Sequence, residues 1–215
     1  MTASERAYEY TKERILDGRF KGGELISEGD VATPTGLSRT PVREAFLRLE
    51  SEGLLRLFPK RGALVVPVSA GEVEAVMETR LVVEQFAIAK TIATEVAPVP
   101  SLEAAIELQH ELVAARDNAG FVEADREFHR LFVASAANPI LLEVHDSLRD
   151  RQTRMGLAAI ALDQGREDSI MREHRELVDA IRDGDPVSAR GILERHLGGT
   201  LTALQRGFGT TALGA

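Results

Sequence analysis

The chain has no cysteine, no tryptophan and only two tyrosines, and it contains no long apolar run. Each absence removes a class of function. Without cysteine there is no disulfide scaffold and no thiolate metal site, so any transition metal must rest on histidine and carboxylate. The same lack fits a reducing, cytoplasmic setting. No stretch approaches the ~20 apolar residues of a membrane-spanning helix. The opening "MTASERAYEYTKERIL" mixes charges throughout and lacks the apolar core of a signal peptide. With aromatics at only 5%, Ala, Leu, Glu and Arg dominate, a composition that leans helical.

What is present suits two domains. The 215 residues are 44% hydrophobic and 28% charged, enough for two ordinary cores. The net charge of −8 is unevenly spread: up to Val68 there are 11 Lys/Arg against 10 Asp/Glu, and beyond it 15 against 24. Local charge decides whether a face meets phosphate, so the first third is the candidate nucleic-acid module.

Within that third, "SERAYEYTKERILDG" reads as a helix stopped at Gly18, and "SEGDVAT" as a short second helix that Pro34 should end. Gly36 makes a turn, and Ser38 or Thr40 caps a third helix. Either cap leaves Pro41 in the first turn, where its missing N–H costs nothing. Val42, Ala45, Phe46 and Leu49 share one apolar face, with Arg39, Thr40 and Arg43 on its flank. "LLRLF" and "ALVVPV" then form a hairpin around "PKRG". This order predicts a winged helix-turn-helix over residues 1–68. An arginine pair alone would be a solvated face. Here it coincides with a turn, a fixed helix start and a wing tipped by Lys60, Arg61 and Gly62. That combination suits major-groove reading by Arg and Thr, with a basic wing on the neighbouring phosphates.

From residue 69 the pattern is helical to the end, an all-α bundle with segments Glu72–Glu95, Ser101–Asp117, Phe121–Ser135, Pro139–Ile160, Arg166–Asp183 and Pro186–Phe208, and a frayed tail "GTTALGA". Asp125 and His129, at i and i+4, project from one helix face. His174 and His196 each sit mid-helix among apolar neighbours. One carboxylate and three imidazoles suit one divalent ion per chain, Zn²⁺, Ni²⁺ or similar, with positions left open. His110 and His145 lack such partners and read as surface or packing residues.

The run "ILDGRFKGGELISEGDVATPTGLSRTPVREAFLRLESEGLLRLFPKRGALV" resembles the DNA-binding domain of GntR-type bacterial transcription regulators over roughly residues 5–68. That resemblance implies DNA contact by Ser38, Arg39, Thr40, Arg43, Lys60, Arg61 and Gly62. Gly29, Pro34 and Thr35 depart from the family pattern and imply a shortened or looser second helix. Residues 72–208 are similar to the metal-binding form of the FadR-type effector domain, matched at Asp125, Phe128, His129, Asn138, Ser169, Glu173, His174, Gly184, Asp185 and His196. The resemblance implies a pocket for a small carboxylate effector, with Arg80 facing it and Asn138 beside it. A helix-surface Arg80 paired with Glu84 is the alternative. The chain therefore reads as a double-stranded-DNA operator-binding regulator, not an enzyme. A single winged domain buries too little to select one site, so a homodimer on a pseudo-palindromic operator is expected. Metal sensing, and a metal-dependent enzyme domain fused to a DNA-binding domain, remain alternatives.

Overall fold

In the computed structural model, residues 1–163 and 165–211 are described, with side chains to residue 206. No described helix is long and apolar enough to cross a membrane. The chain divides into two compact units, one ending at Val68 and the other beginning at Ser69.

The first unit contains α1 (Ala3–Leu16), β1 (Leu25–Ile26), α2 (Glu28–Thr35), α3 (Arg39–Ser51), β2 (Leu55–Phe58) and β3 (Gly62–Val65). Capping boxes start α1 at Thr2/Glu5 and α2 at Ser27/Asp30, satisfying N–H groups that lack intrahelical partners. Ser38 is the N-cap of α3, which places Pro41 inside the first turn. Val42, Phe46 and Leu49 of α3 pack with Ala7 and Ile15 of α1, Val31 of α2, and Leu55, Ala63 and Val65 of the wing. The wing is an antiparallel sheet ordered β1-β3-β2, not the two-stranded hairpin that the sequence suggests. Two residues are too short a strand to show an alternating pattern. Leu25 and Ile26 find Leu64 and Ala63 across the sheet.

Pro34 does not end α2 as expected; the helix continues to Thr35 and stops at left-handed Gly36. Pro34 stands in the last turn, where the lost N–H bond is single and terminal. The Thr35 hydroxyl donates to the Val31 carbonyl at 2.6 Å, and the Gly36 N–H closes the end on Ala32 and Thr33.

The second unit contains α4 (Ala70–Ala93), α5 (Val99–Ala115), α6 (Asn118–Ser135), α7 (Pro139–Ser147), α8 (Arg149–Leu162), α9 (Arg166–Arg182) and α10 (Pro186–Thr211). Helix α6 is central, touching α4, α5, α7 and α8, while α10 packs on α4, α8 and α9. Phe121, Phe128 and Phe132 of α6 are fully buried. The predicted single helix 139–160 is instead two, broken at Leu148. There the Leu148 N–H turns to the His145 carbonyl, and the Ser147 hydroxyl takes the Val144 carbonyl at 2.7 Å. Such serine back-bonding bends helices without any glycine or proline to announce it. Helix α10 runs beyond the expected Phe208 to Thr211; of the predicted frayed tail, residues 212–215 lie outside the described residues.

A basic surface groove and a buried histidine cluster

In the first unit, α3 turns its apolar face inward and leaves Ser38, Arg39, Thr40 and Arg43 exposed. The Ser38 side chain makes no capping bond, so its hydroxyl is not consumed by the helix. Across the wing turn, the Arg61 N–H bonds the Phe58 carbonyl at 3.0 Å, and Lys60 takes a left-handed φ of 64°. Gly62, at φ 105°, lies where a Cβ would collide with the Ile26 carbonyl, so only glycine fits. Arg39, Arg43, Lys60, Arg61 and Gly62 line one surface groove of about 680 Å³ together with Glu28, Glu50 and Phe58. Ser38 and Thr40 stand outside its wall, on the first turn of α3. Glu50 is engaged elsewhere, accepting the Leu57 N–H at 2.7 Å. Glu28 accepts from Arg43 Nε at 2.7 Å.

In the second unit, Asp125 and His129 of α6, His174 of α9 and His196 of α10 converge, with one ligand atom from each lying within 4.8 Å of all the others. All three imidazoles are buried. Two are hydrogen-bonded from behind through Nδ1, and the third has a carboxylate close behind it. His196 Nδ1 is 2.9 Å from Glu173 Oε2, and His174 Nδ1 is 2.9 Å from Gln109 Oε1. The Gln109 amide is itself oriented by donating to the Ala124 carbonyl. His129 Nδ1 lies 2.8 Å from Glu84 Oε2, close though poorly aligned for a hydrogen bond. These acceptors draw the ring proton to Nδ1 and leave each Nε2 as a bare lone pair. Yet His129 Nε2 and His196 Nε2 face one another at 3.1 Å, and His174 Nε2 faces Asp125 Oδ1 at 3.4 Å. Four acceptors meet with no donor among them.

A proton would relieve that repulsion, but the surroundings oppose it. Burial pushes His174 and His196 well below the ordinary imidazole pKa, and the neighbouring histidines lower them further. A divalent cation fits instead. Two atoms bonded to one ion at ~2.1 Å lie at most ~4.2 Å apart. A spread of 4.8 Å therefore needs closure by at least about 0.6 Å, and by more for tetrahedral ligands. Three neutral imidazoles and one carboxylate form a donor set for ions such as Zn²⁺ or Ni²⁺.

Arg80 is not on the helix surface; it is buried, with Nε on Glu84 Oε1 at 2.7 Å and Nη2 without a partner among the described residues. Burial would raise the Glu84 carboxyl, but Arg80 and His129 outweigh it and hold the pKa well below the usual carboxylate range. Beside the cluster lies a cavity of about 30 Å³, lined by Arg80, Asp125, Gln152, Gly156, His196 and Thr200 among others. Both amide atoms of buried Gln152 lack a hydrogen-bond partner among the described residues. Gly156 packs so tightly on Val122 that a Cβ there would meet it at 2.8 Å.

Two sequence expectations change here. Asn138 does not line the cavity: its Oδ1 accepts the Ile140 and Leu141 N–H groups at the N-terminus of α7, so it is a helix cap. His145 is buried, 3.6 Å from Glu84 Oε1, and has a charged neighbour after all; His110 is exposed. Gln109, Gln152 and the contact of Glu84 with His129 were not legible in the sequence, since what they face lies far away in it.

A winged helix-turn-helix unit with a basic groove, followed by a helical unit with a buried ligand-type cluster, defines a one-component DNA-binding regulator. Comparisons with known proteins agree. Residues 3–65 match the bacterial regulatory proteins of the gntR family, and residues 75–199 match the FCD domain. The chain is 35% identical over 136 residues to an HTH-type transcriptional regulator of Agrobacterium vitis, covering 61% of this chain and 79% of that one. It is 28% identical over 202 residues to a probable D-xylose utilization operon transcriptional repressor of Paenarthrobacter nicotinovorans, covering 94% and 88%. A solved GntR regulator from Rhodococcus sp. RHA1 shares the fold with a TM-score of 0.75 at 24% identity, over 94% and 97% of the two chains. The protein belongs to the GntR family of transcription regulators, in the FadR-type subgroup with an FCD effector domain. These families are regulators, not enzymes. Glu173, the nearest candidate general base, is already engaged by His196 and lies 3.5 Å from Arg166.

Proposed function

We propose that this cytoplasmic regulator binds its operator through the α3–wing groove, and that a divalent metal in the Asp125–His129–His174–His196 cluster recruits a small carboxylate effector that changes operator affinity. The observation that carries the reading is the convergence of one carboxylate and three imidazoles within 4.8 Å, with Glu84, Gln109 and Glu173 behind the rings. The bound ion would supply Lewis acidity and an open position for an oxygen ligand. The protein's own part is orientation. Arg80 Nη2 is a free cationic donor for a carboxylate, and Gln152 offers one donor and one acceptor in the same cavity. On the DNA side, Arg39 and Arg43 read bases from the groove. Thr40 adds its methyl to that base reading, Ser38 and Gly62 approach the backbone, and Lys60 and Arg61 neutralise phosphates.

A homodimer is part of this reading. On α4, Val82, Phe86, Ala89 and Ala93 form an exposed stripe at three- and four-residue spacing, with Ala75 two turns before it and Val82 69% and Phe86 52% exposed. Helix α7, which packs on α4, adds exposed Ile140 and Val144. Apolar residues at that spacing form a helix–helix seam, and a second copy of the chain supplies the matching face.

Metal sensing is the second reading, favoured by the cavity's size: 30 Å³ is about the room of one water. A melting-temperature panel of small organic acids separates the two. Acids should stabilise metal-loaded wild type, but neither chelated protein nor the Gln152→Leu variant. Equal stabilisation after chelation would show that the metal recruits no ligand. If no acid acts while metal alone changes DNA affinity, metal sensing is the function.

A further inference from the structure

Two acidic residues line the basic groove, and while Glu50 accepts the Leu57 N–H, Glu28 reaches across to an arginine. Glu28 opens α2, but the helix is already capped: Asp30 Oδ2 accepts from the Ser27 N–H and hydroxyl at 2.7 and 2.8 Å, and Ser27 Oγ accepts from the Asp30 N–H. The Glu28 carboxylate is turned across to α3 instead, where it holds Arg43 Nε at 2.7 Å. Arg43 is 69% exposed, and an ion pair so open to water contributes little to the fold. A carboxylate in a groove built for polyphosphate also repels the ligand. The helix macrodipole favours an acid in this first turn, but it does not require the carboxylate to bond Arg43, and that bond is what acts on the groove.

Its effect on Arg43 follows from guanidinium geometry. Arginine has five N–H donors in a rigid fork. Binding Nε to a carboxylate removes one edge and leaves Nη1 and Nη2, which have no partner among the described residues. The remaining edge is the pair of parallel donors that matches guanine O6 and N7. The same carboxylate repels phosphate oxygens, so it penalises the sequence-independent contact that an unrestrained arginine would make.

Resting on the assignment of the α3–wing groove to DNA, we propose that Glu28 is a specificity-determining positioning residue. It holds Arg43 in the base-reading orientation and keeps it from the phosphate backbone, so that discrimination between sequences is gained at the expense of general DNA affinity.

The test uses full-length, metal-loaded protein. Wild type first selects a preferred duplex from a random library, and Kd is then measured on that duplex and a scrambled one over a salt series. Arg43→Ala should lower the selected-to-scrambled affinity ratio about 5- to 150-fold, the range for losing one bidentate base contact. If it does not, the groove assignment itself fails. Glu28→Gln should lower the same ratio about tenfold, tighten binding to the scrambled duplex, and steepen its salt slope by about one as Arg43 takes a phosphate. Glu28→Asp keeps the charge but shortens the reach, so it should lose discrimination without the gain in general affinity. The effect of Glu28→Gln should vanish in an Arg43→Ala background. An unchanged ratio and slope in Glu28→Gln, or an equal loss on both duplexes, overturns the proposal. So does a Glu28→Gln effect that persists without Arg43, which would make Glu28 a direct base contact.

Discussion

Arg43 and Arg80 make the same bond in opposite surroundings. Each donates Nε to a glutamate oxygen at 2.7 Å, Arg43 to Glu28 and Arg80 to Glu84. Arg43 is 69% exposed and its glutamate 22%; Arg80 is 6% exposed and its glutamate 0%. Water screens the first pair and relieves either partner if the other is lost. Nothing relieves the second. The exposed pair can therefore vary with little consequence for folding, whereas the buried pair ties the fold to the histidine cluster and its cavity.

The sharpest break of that comparison is Glu84→Ala. It strands the Arg80 guanidinium and removes the group behind His129 Nδ1. Removing one partner of a buried pair costs roughly 3–5 kcal/mol, and losing the group that orients a metal-bound histidine typically costs 10–100-fold in metal affinity. Chemical denaturation with metal titration should show both losses together. Glu28→Ala should leave both nearly unchanged. Equal melting of the two variants would mean that Glu84 is solvated in practice.

The pH dependence sharpens the same contrast. His174 and His196 are held below their ordinary pKa in the fold, chiefly by burial, while in the unfolded chain they protonate near ~6.5. Below that pH the unfolded state takes up protons that the folded state refuses, so apoprotein stability falls as pH drops through ~6.5 towards the folded pKa values. Metal occupancy behaves differently. Its protonic competitor is the folded imidazole, so His174 and His196 should yield less to protons at pH 6.5 than unperturbed histidines would. Calorimetry of apoprotein and metal titration at pH 7.5, 6.5 and 5.5 measure the two effects. Flat apoprotein stability across this range would contradict the burial-driven shift.

The two regions also differ in how far the sequence reveals them. The recognition helix announces itself locally, because Pro41, the arginine pair and the apolar face all lie within one short run. Three histidines and Asp125 were legible as a set, since each stands mid-helix beside residues that must face a core. The residues behind them were not: Glu84 meets His129, and Gln109 meets His174, only through tertiary packing. Asn138 shows the opposite failure. A match of residue types placed it by the effector, although an asparagine directly before Pro139 is also a helix-cap arrangement, and the cap takes its oxygen. The break at Leu148 had no punctuating residue to betray it.

The smallest effect lies at the wing tip, where stability and binding should move in opposite directions. Lys60 sits at φ 64°. A left-handed conformation costs a non-glycine residue roughly 1–2 kcal/mol, while glycine gives back about 0.5–1 kcal/mol through the freedom it restores to the unfolded chain. Lys60→Gly should therefore stabilise the first unit by a few tenths to about 1 kcal/mol. It also deletes a cation from the groove, so the salt slope of DNA binding should become shallower by about one. Lys60→Ala separates these terms, because it removes the charge but keeps a Cβ in the strained turn. It should lose the same slope and gain no stability. No such opposition is available at Glu84, where the fold and the ligand site depend on one buried carboxylate. If Lys60→Gly melts no higher than Lys60→Ala, the wing turn is not strained; if both retain the wild-type slope, the lysine meets no phosphate.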